Sequence, residues 1–255
     1  ATVTAHVYDL PSQATTYLDL GTDYEYLARL EWTKKPNVLS IQALNRYQNN
    51  LDLIFYDASA NKAKVVLTEK DDAYVDVTDN LTFLNDNSFI WTSEKDNWNH
   101  IYHYSAEGKL INQITKGNWD VTDYYGFDQN TGRIYYQSTE NGSINRDVFS
   151  ITMKGKNKAK LTQKIGINSA DFSSDFSNFI NSYTSATTPY EFTLVNARNG
   201  KKIRDIKDNS ALVEKLKPYQ LSTKEFSTIN VNGNVLNMWM IKPKDFDPTK
   251  QYPLL

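Results

Sequence analysis

Short apolar runs recur along the chain with polar stretches between them, and their spacing is that of strands. Runs rich in Tyr, Phe, Ile, Val and Thr are broken by the turn sequences "EGK" at 107–109, "NTGR" at 130–133, "ENGS" at 140–143 and "RNGK" at 198–201, whose Gly and Asn residues accept tight-turn backbone angles. An apolar period of 3.6 is nearly absent. The one expected helix is short, in "DNSALVEKLKPY", with Asp208 or Asn209 as its cap and Pro218 as its stop.

The runs repeat as a set. Segments starting near Leu30, Leu81, Tyr125 and Ala170 each show an aromatic start, a turn, a strand ending in Thr, Ser or Gln, a polar loop, a strand such as "HIYHY" or "DVFSI", a Gly or Lys turn, and a last strand. The period is about 45 residues, the length of a four-stranded propeller blade. Trp32, Phe83, Phe127 and Phe172 then fall in equivalent first strands, and Tyr56, Tyr104, Phe149 and Leu194 in third strands. Evenly spaced short strands also suit a β-sandwich, and it is the repeat that favours the propeller. The expected fold is all-β: a partial β-propeller of about four four-stranded antiparallel blades, with residues 1–20 as the outer half of a preceding blade. After the fourth repeat comes a hairpin about "NGN", with Phe226, Ile229 and Val231 alternating, then Leu236, Met238 and Met240. Residues 1–208 are therefore read as blades, and 209–255 as a connecting helix, the hairpin and the start of something else.

The chain has 255 residues, 40% hydrophobic and 13% aromatic, enough for a substantial core. Lys plus Arg number 28 against 30 Asp plus Glu, with no long block of one sign, which gives no footprint for nucleic acid or an anionic membrane. No apolar run approaches a membrane span, and "ATVTAHVYDL" has no signal-peptide pattern. There is no Cys, so disulfides, thiolate metal sites and a cysteine nucleophile are excluded.

Candidate chemistry is sparse. No G-x-S-x-G occurs, so the strained serine elbow of a hydrolase is not in this stretch. Among His6, His100 and His103, the last two sit three apart in one strand, pointing to opposite faces, and cannot chelate one metal. Neither a metal site nor a cofactor is expected. Asp71 and Asp72 are read as solvated surface. The tryptophans Trp32, Trp91, Trp98, Trp119 and Trp239 are read as core packing at strand and blade-edge positions, in preference to a sugar-stacking surface. "NLT" at 80–82 and "NGS" at 141–143 match the glycan acceptor pattern, a weak signal.

Several stretches are long enough to carry a resemblance. "WTSEKDNWNHIYHY" followed by "ITKGNWDVTDYYGFDQNTGRIYYQSTE" resembles a penultimate-blade stretch of dipeptidyl peptidase IV enzymes of the prolyl oligopeptidase family, especially bacterial ones. "VLSIQALNRYQNNLDLIFYD" is similar to the blade before it, and "DNSALVEKLKPYQLSTKEFSTINVNGNVLNMWMIKPKDFDPTKQYPLL" to the passage from the propeller into the α/β-hydrolase domain. The resemblance implies a serine exopeptidase releasing Xaa-Pro or Xaa-Ala dipeptides. The nucleophile elbow, Asp and His would lie beyond Leu255, leaving no catalytic residue here. It also implies peptide substrates, a same-chain hydrolase domain and an exported (periplasmic or secreted) location. Separately, a partial propeller would expose strand edges and apolar blade faces at both ends, which invites a homodimer or aggregation.

The glutamate pair with which the family binds the substrate amino terminus is expected upstream, as this chain has no Glu-Glu. A propeller arginine near substrate in some members would fall around "AYVDVTD", where Tyr74, Val75 and Asp76 stand instead. Tyr74 and Asp76 become candidates for lining the opening toward the catalytic domain. In "NRYQNN", Arg46 and Gln48 could face a peptide, Arg offering bidentate geometry to carboxylates or carbonyls, or the cluster could be a loop bonded to its neighbours. The other class of reading is a stand-alone propeller that binds a protein partner, which leaves the hairpin at 224–242 without a purpose.

Overall fold

In the computed structural model, which describes residues 3–254, the apolar runs become strands of successive small sheets. β1 (His6–Asp9) and β2 (Ala14–Tyr17) form a two-stranded sheet. Four four-stranded sheets follow, each with its strands in chain order. The first holds β3 (Tyr26–Trp32), β4 (Val38–Leu44), β5 (Asn50–Asp57) and β6 (Lys62–Lys70). The second holds β7 (Thr82–Phe83), β8 (Phe89–Ser93), β9 (His100–Tyr104) and β10 (Leu110–Gln113). β11 (Val121–Asp128), β12 (Arg133–Ser138), β13 (Asp147–Thr152) and β14 (Ala159–Lys160) make the third, and β15 (Ile167–Phe172), β16 (Asn178–Thr184), β17 (Glu191–Asn196) and β18 (Lys202–Lys207) the fourth. The four-strand meander is the propeller blade that the repeat predicts. Each aromatic anchor lies in a first strand, and Tyr56, Tyr104, Phe149 and Leu194 lie in third strands. A helix, α1 (Ser210–Leu216), and a hairpin of β19 (Lys224–Val231) and β20 (Asn234–Ile241) complete the order.

The chain divides into two compact units, Ala1–Ile134 with Ile151–Asn157, and Tyr135–Ser150 with Lys158–Leu255. In the first, all seven residues of β4 are buried, because neighbours cover both of its faces. Leu39, Ile41 and Ala43 meet Ala5, Leu18 and Tyr24 around the β1–β2 sheet. On the alternate face Leu44 joins Leu51, Leu53, Phe83, Phe89, Trp91, Tyr102 and Tyr104 in the core between the first two blades. Each large side chain buried this way contributes about 1.5–3 kcal/mol. The polar residues on that face need partners, and Ser40 Oγ donates to the Glu31 carbonyl at 2.8 Å while Gln42 Nε2 donates to the Thr78 carbonyl at 2.8 Å.

In the second unit, Tyr135 is fully buried and its ring stacks on Phe176 at 5.4 Å, with Phe172 at 4.7 Å. Phe176 holds a left-handed backbone, φ 52°, a cost for a bulky residue. The stacking and the Asp175 turn, whose carboxylate accepts from Ser173 Oγ at 2.7 Å and Ser177 N at 3.0 Å, hold it there.

Three expectations change. Neither Asp208 nor Asn209 caps α1 through its side chain: Asp208 Oδ1 accepts from Ser210 N at 3.1 Å, closing a turn, and the Asn209 amide reaches the Tyr190 carbonyl. Of the tryptophans, Trp91 is core at 1% exposed, but Trp32 and Trp239 are 54% and 58% exposed. Trp98 is also surface, and Trp119 sits edge-on to His100 at 4.8 Å. In the hairpin, register pairs Phe226 with Trp239 on one face and Ile229 with Leu236 on the other, so Phe226 does not share the Ile229 and Met238 face.

Candidate functional site

Sorting the reactive residue types by their hydrogen bonds removes most of them. Asp86, Ser88 and His103 come together, but in the wrong order for a nucleophile. Ser88 Oγ donates its hydrogen to Asp86 Oδ1 at 2.6 Å, which leaves His103 Nε2, 3.0 Å from the same oxygen, on the side of the lone pairs, so the imidazole does not take the serine proton. Ser88 is also buried. Desolvation holds the His103 imidazole below the usual histidine range, opposed by Asp86 and Asn112. His100 is fully buried, with Nδ1 on Thr115 Oγ1 at 3.1 Å and Nε2 on the Gly117 carbonyl at 3.0 Å. It pins the turn after β10. Among the described residues, no three His, Asp or Glu side chains converge in an arrangement fit to hold a metal ion.

The "NRYQNN" loop between β4 and β5 is braced internally. Asn45 Oδ1 accepts from the amides of Asn49 and Asn50 at 3.2 and 3.3 Å. Arg46 is tied to Tyr26, donating to its hydroxyl with the guanidinium 6.0 Å from the ring centroid. Gln48, left-handed at φ 54°, turns toward the crossover from β6 to β7. Its carbonyl accepts from Val75 N at 2.8 Å, and its Oε1 from the Tyr74 hydroxyl at 3.3 Å. The structure thus brings Gln48 and Tyr74 together, while Arg46 stays with Tyr26.

That crossover, residues 71–80, forms one wall of a cleft of about 370 Å³. Gln42 holds the Thr78 carbonyl, Thr78 Oγ1 meets Thr92 Oγ1 at 2.8 Å, and Asn80 Nδ2 donates to Thr92 Oγ1 at 3.1 Å. The opposite wall is the end of β8 with the loop after it, and Thr122 and Asp123 of β11 close the third side. Tyr74 and Asp76 line this cleft; Arg46 and Gln48 lie outside it. Asp71, expected as plain surface, also lines it, whereas Asp72 does not. Of the two glycan acceptor asparagines, Asn80 is engaged with Thr92 and Asn141 Nδ2 with Asp147 at 2.8 Å.

The lining is strongly acidic. Glu69, Asp71, Asp76, Asp79, Glu94 and Asp123 face Lys70 and Lys95, and among the described residues Asp79 alone of these six forms an ion pair, with Arg29. Glu94 is pushed above the ordinary glutamate range by partial burial and then by the carboxylates Asp76, Asp120 and Asp71. Partial burial likewise raises Asp123. Like charges gathered in a cleft whose walls exclude some water favour a cationic occupant.

A second network stiffens the wall beside Glu94. Glu69 accepts from Trp91 Nε1 at 3.2 Å and from Ser93 Oγ at 2.8 Å. Lys95 donates to the Tyr104 hydroxyl at 2.6 Å and lies 3.9 Å over the Tyr102 ring. Desolvation raises Glu69 and lowers Lys95, and attraction between the two opposes both shifts. Ser93 meets the Glu69 carboxylate, and the lining holds no histidine among the described residues, so the cleft offers charge and hydrogen-bond acceptors without a serine–imidazole pair. Sequence reasoning missed Glu69, Glu94 and Asp123. They come from three different strands or loops and share no motif; the alternation in "TEK" and "TSEK" is the sole local signal.

Comparison with known proteins gives this geometry a family. Residues 1–190 match the dipeptidyl peptidase IV (DPP IV) N-terminal region. Along its whole length the chain is 28% identical to a dipeptidyl peptidase 4 of Arthroderma otae, and it is 27% identical to one of Trichophyton rubrum, spanning 34% of each. The crystal structure of Porphyromonas gingivalis dipeptidyl peptidase 4 superposes with a TM-score of 0.93 at 37% identity, over 99% of this chain and 36% of that one. The chain therefore spans about a third of the length of these relatives. With three-quarters of its residues inside the family match, the chain belongs to the dipeptidyl peptidase IV N-terminal region family.

Proposed function

We propose that this chain is the non-catalytic propeller portion of a serine exopeptidase that removes Xaa-Pro or Xaa-Ala dipeptides from peptide amino termini. Its part is to admit slender peptides and help position them, while the nucleophile, base and acid come from an α/β-hydrolase domain of the same polypeptide. The observation that carries this reading is the acidic cleft: in a chain of this family it supplies binding groups and, among the described residues, no serine–imidazole pair.

In this reading Tyr74 and Asp76 face the peptide, and Glu94 stands with them. Asp76 and Glu94 favour a cationic side chain near the substrate's amino end, with the Tyr74 ring beside it. Gln48 supports Tyr74, and Arg46 shapes the loop behind. The hairpin β19–β20, with apolar side chains on both faces, leads into the hydrolase domain and finds its cover there. Export to a periplasmic or extracellular location and homodimer formation complete the proposal. Among the described residues no helix is long and apolar enough to cross a membrane.

The coding frame beyond codon 255 tests the reading. A G-x-S-x-G motif followed in order by Asp and His is the expected finding. A stop codon directly after Leu255 would remove the reaction and leave a propeller whose cleft serves a binding partner.

A further inference from the structure

We infer that Lys95 is a positioning residue for the cleft, its tethered ammonium holding the neighbouring Glu94 against the carboxylates Asp76 and Asp71. The inference rests on the reading above that the cleft faces the peptide.

The two residues do opposite things. Glu94 lines a cleft with Asp71 and Asp76, and these carboxylates together with Asp120 repel it, which pushes it outward. It sits at the start of an exposed turn, with Asn97 N donating to its carbonyl at 2.8 Å and Asn97 left-handed at φ 73°. Such a turn can swing away unless something fixes it. Lys95, the next residue, is held on the wall side. Its ammonium bonds Tyr104 Oη at 2.6 Å, lies 3.9 and 4.9 Å from the Tyr102 and Tyr104 ring centroids, and is attracted by Glu69. Its amide donates to Ser93 Oγ at 3.2 Å, and Ser93 Oγ in turn donates to Glu69. One residue further, Asp96 Oδ2 accepts from Gln113 Nε2 at 2.6 Å. Cation–π contact and a charge-assisted hydrogen bond on one ammonium make a tether of this kind stronger than a solvated lysine would give.

The consequence is substrate selectivity. A fixed Glu94 keeps negative potential inside the cleft, and a freed one lets it relax into solvent. The test uses the whole peptidase with two chromogenic substrates, a Lys-Pro anilide and a Leu-Pro anilide, on wild type, Lys95→Met, Lys95→Arg and Glu94→Gln. Hydrogen exchange of the 94–97 amides is followed in the same proteins. Lys95→Met is expected to lower the Lys-Pro to Leu-Pro ratio of kcat/KM by about three-fold, the effect of one partly solvated charge pair, acting through KM. It should also speed exchange at 94–97, with Lys95→Arg restoring both. If Glu94→Gln lowers the ratio and Lys95→Met changes neither ratio nor exchange, the positioning role is overturned while the cleft reading stands. If Glu94→Gln leaves the ratio unchanged, the cleft does not face the peptide and the selectivity role of Lys95 falls with it; the exchange data then report only on a structural tether.

Discussion

A Cβ placed on Gly108 would lie 1.6 Å from the carbonyl oxygen of Val66, in the outermost strand of the preceding blade. The approach repeats: a Cβ on Gly155 would be 2.8 Å from the Ile114 carbonyl, and one on Gly200 2.8 Å from that of Leu161. The glycine of the last hairpin turn in each of these blades thus sets how closely neighbouring sheets stack. Gly108→Ala must displace backbone and also force a side chain into φ 86°, for a loss of about 3 kcal/mol or more. Gly132→Ala, at φ 67° with open space around its Cβ, should lose only about 1–2 kcal/mol. Urea denaturation of the two variants separates close approach from backbone angle.

Asp147 makes a second test in the other unit. It is 2% exposed, and it accepts from Thr162 Oγ1 at 2.8 Å, Asn141 Nδ2 at 2.8 Å and Lys160 Nζ at 2.9 Å. Asp147→Ala strands those donors and should cost about 3–5 kcal/mol. Asp147→Asn keeps one acceptor, sets its own amide against that of Asn141, and should cost less. The ordering of midpoints in chemical denaturation checks both.

Glu94 gives a pH signature with a definite sign. Its carboxyl is raised in the folded protein, so the folded state holds that proton more tightly than the unfolded chain does. Stability from this group is present at acid pH and is lost as pH rises from the ordinary glutamate range through the raised value. Glu94→Gln should therefore be more stable than wild type at pH 7, with the gap closing toward pH 4. Denaturation curves at the two pH values would show it, and a gap that widens in acid would contradict it.

The hairpin β19–β20 exposes Phe226, Ile229, Leu236 and Trp239, each near half exposed. Residues 1–255 by themselves should self-associate through such surface. Adding Phe226→Lys and Trp239→Lys, which removes both aromatic rings from one hairpin face, should lower the mass measured by light scattering at high concentration.

What the sequence disclosed follows from range. The blades were legible because Phe83 and Phe172, or Tyr56 and Tyr104, recur in equivalent strands, and a repeat is a local pattern written several times. Trp32 and Trp239 were misread because an aromatic in a strand faces core or solvent according to register and neighbours. Phe226 went to the other hairpin face for the same reason, its pairing with Trp239 being set by the Asn232–Gly233 turn. Tyr74 and Asp76 could be picked from one stretch. Glu69, Glu94 and Asp123 meet only after β6, the loop after β8 and β11 have packed, so beyond the weak "TEK" and "TSEK" pattern nothing local in the chain announces the cleft.

Dipeptide release from an Xaa-Pro peptide, measured side by side for residues 1–255 alone and for the whole polypeptide of the same gene, tests the central claim most directly. The account predicts release by the whole polypeptide, abolished by a serine-directed phosphonate, and none by residues 1–255. Hydrolysis by residues 1–255 alone, or none by the folded whole polypeptide, would contradict it.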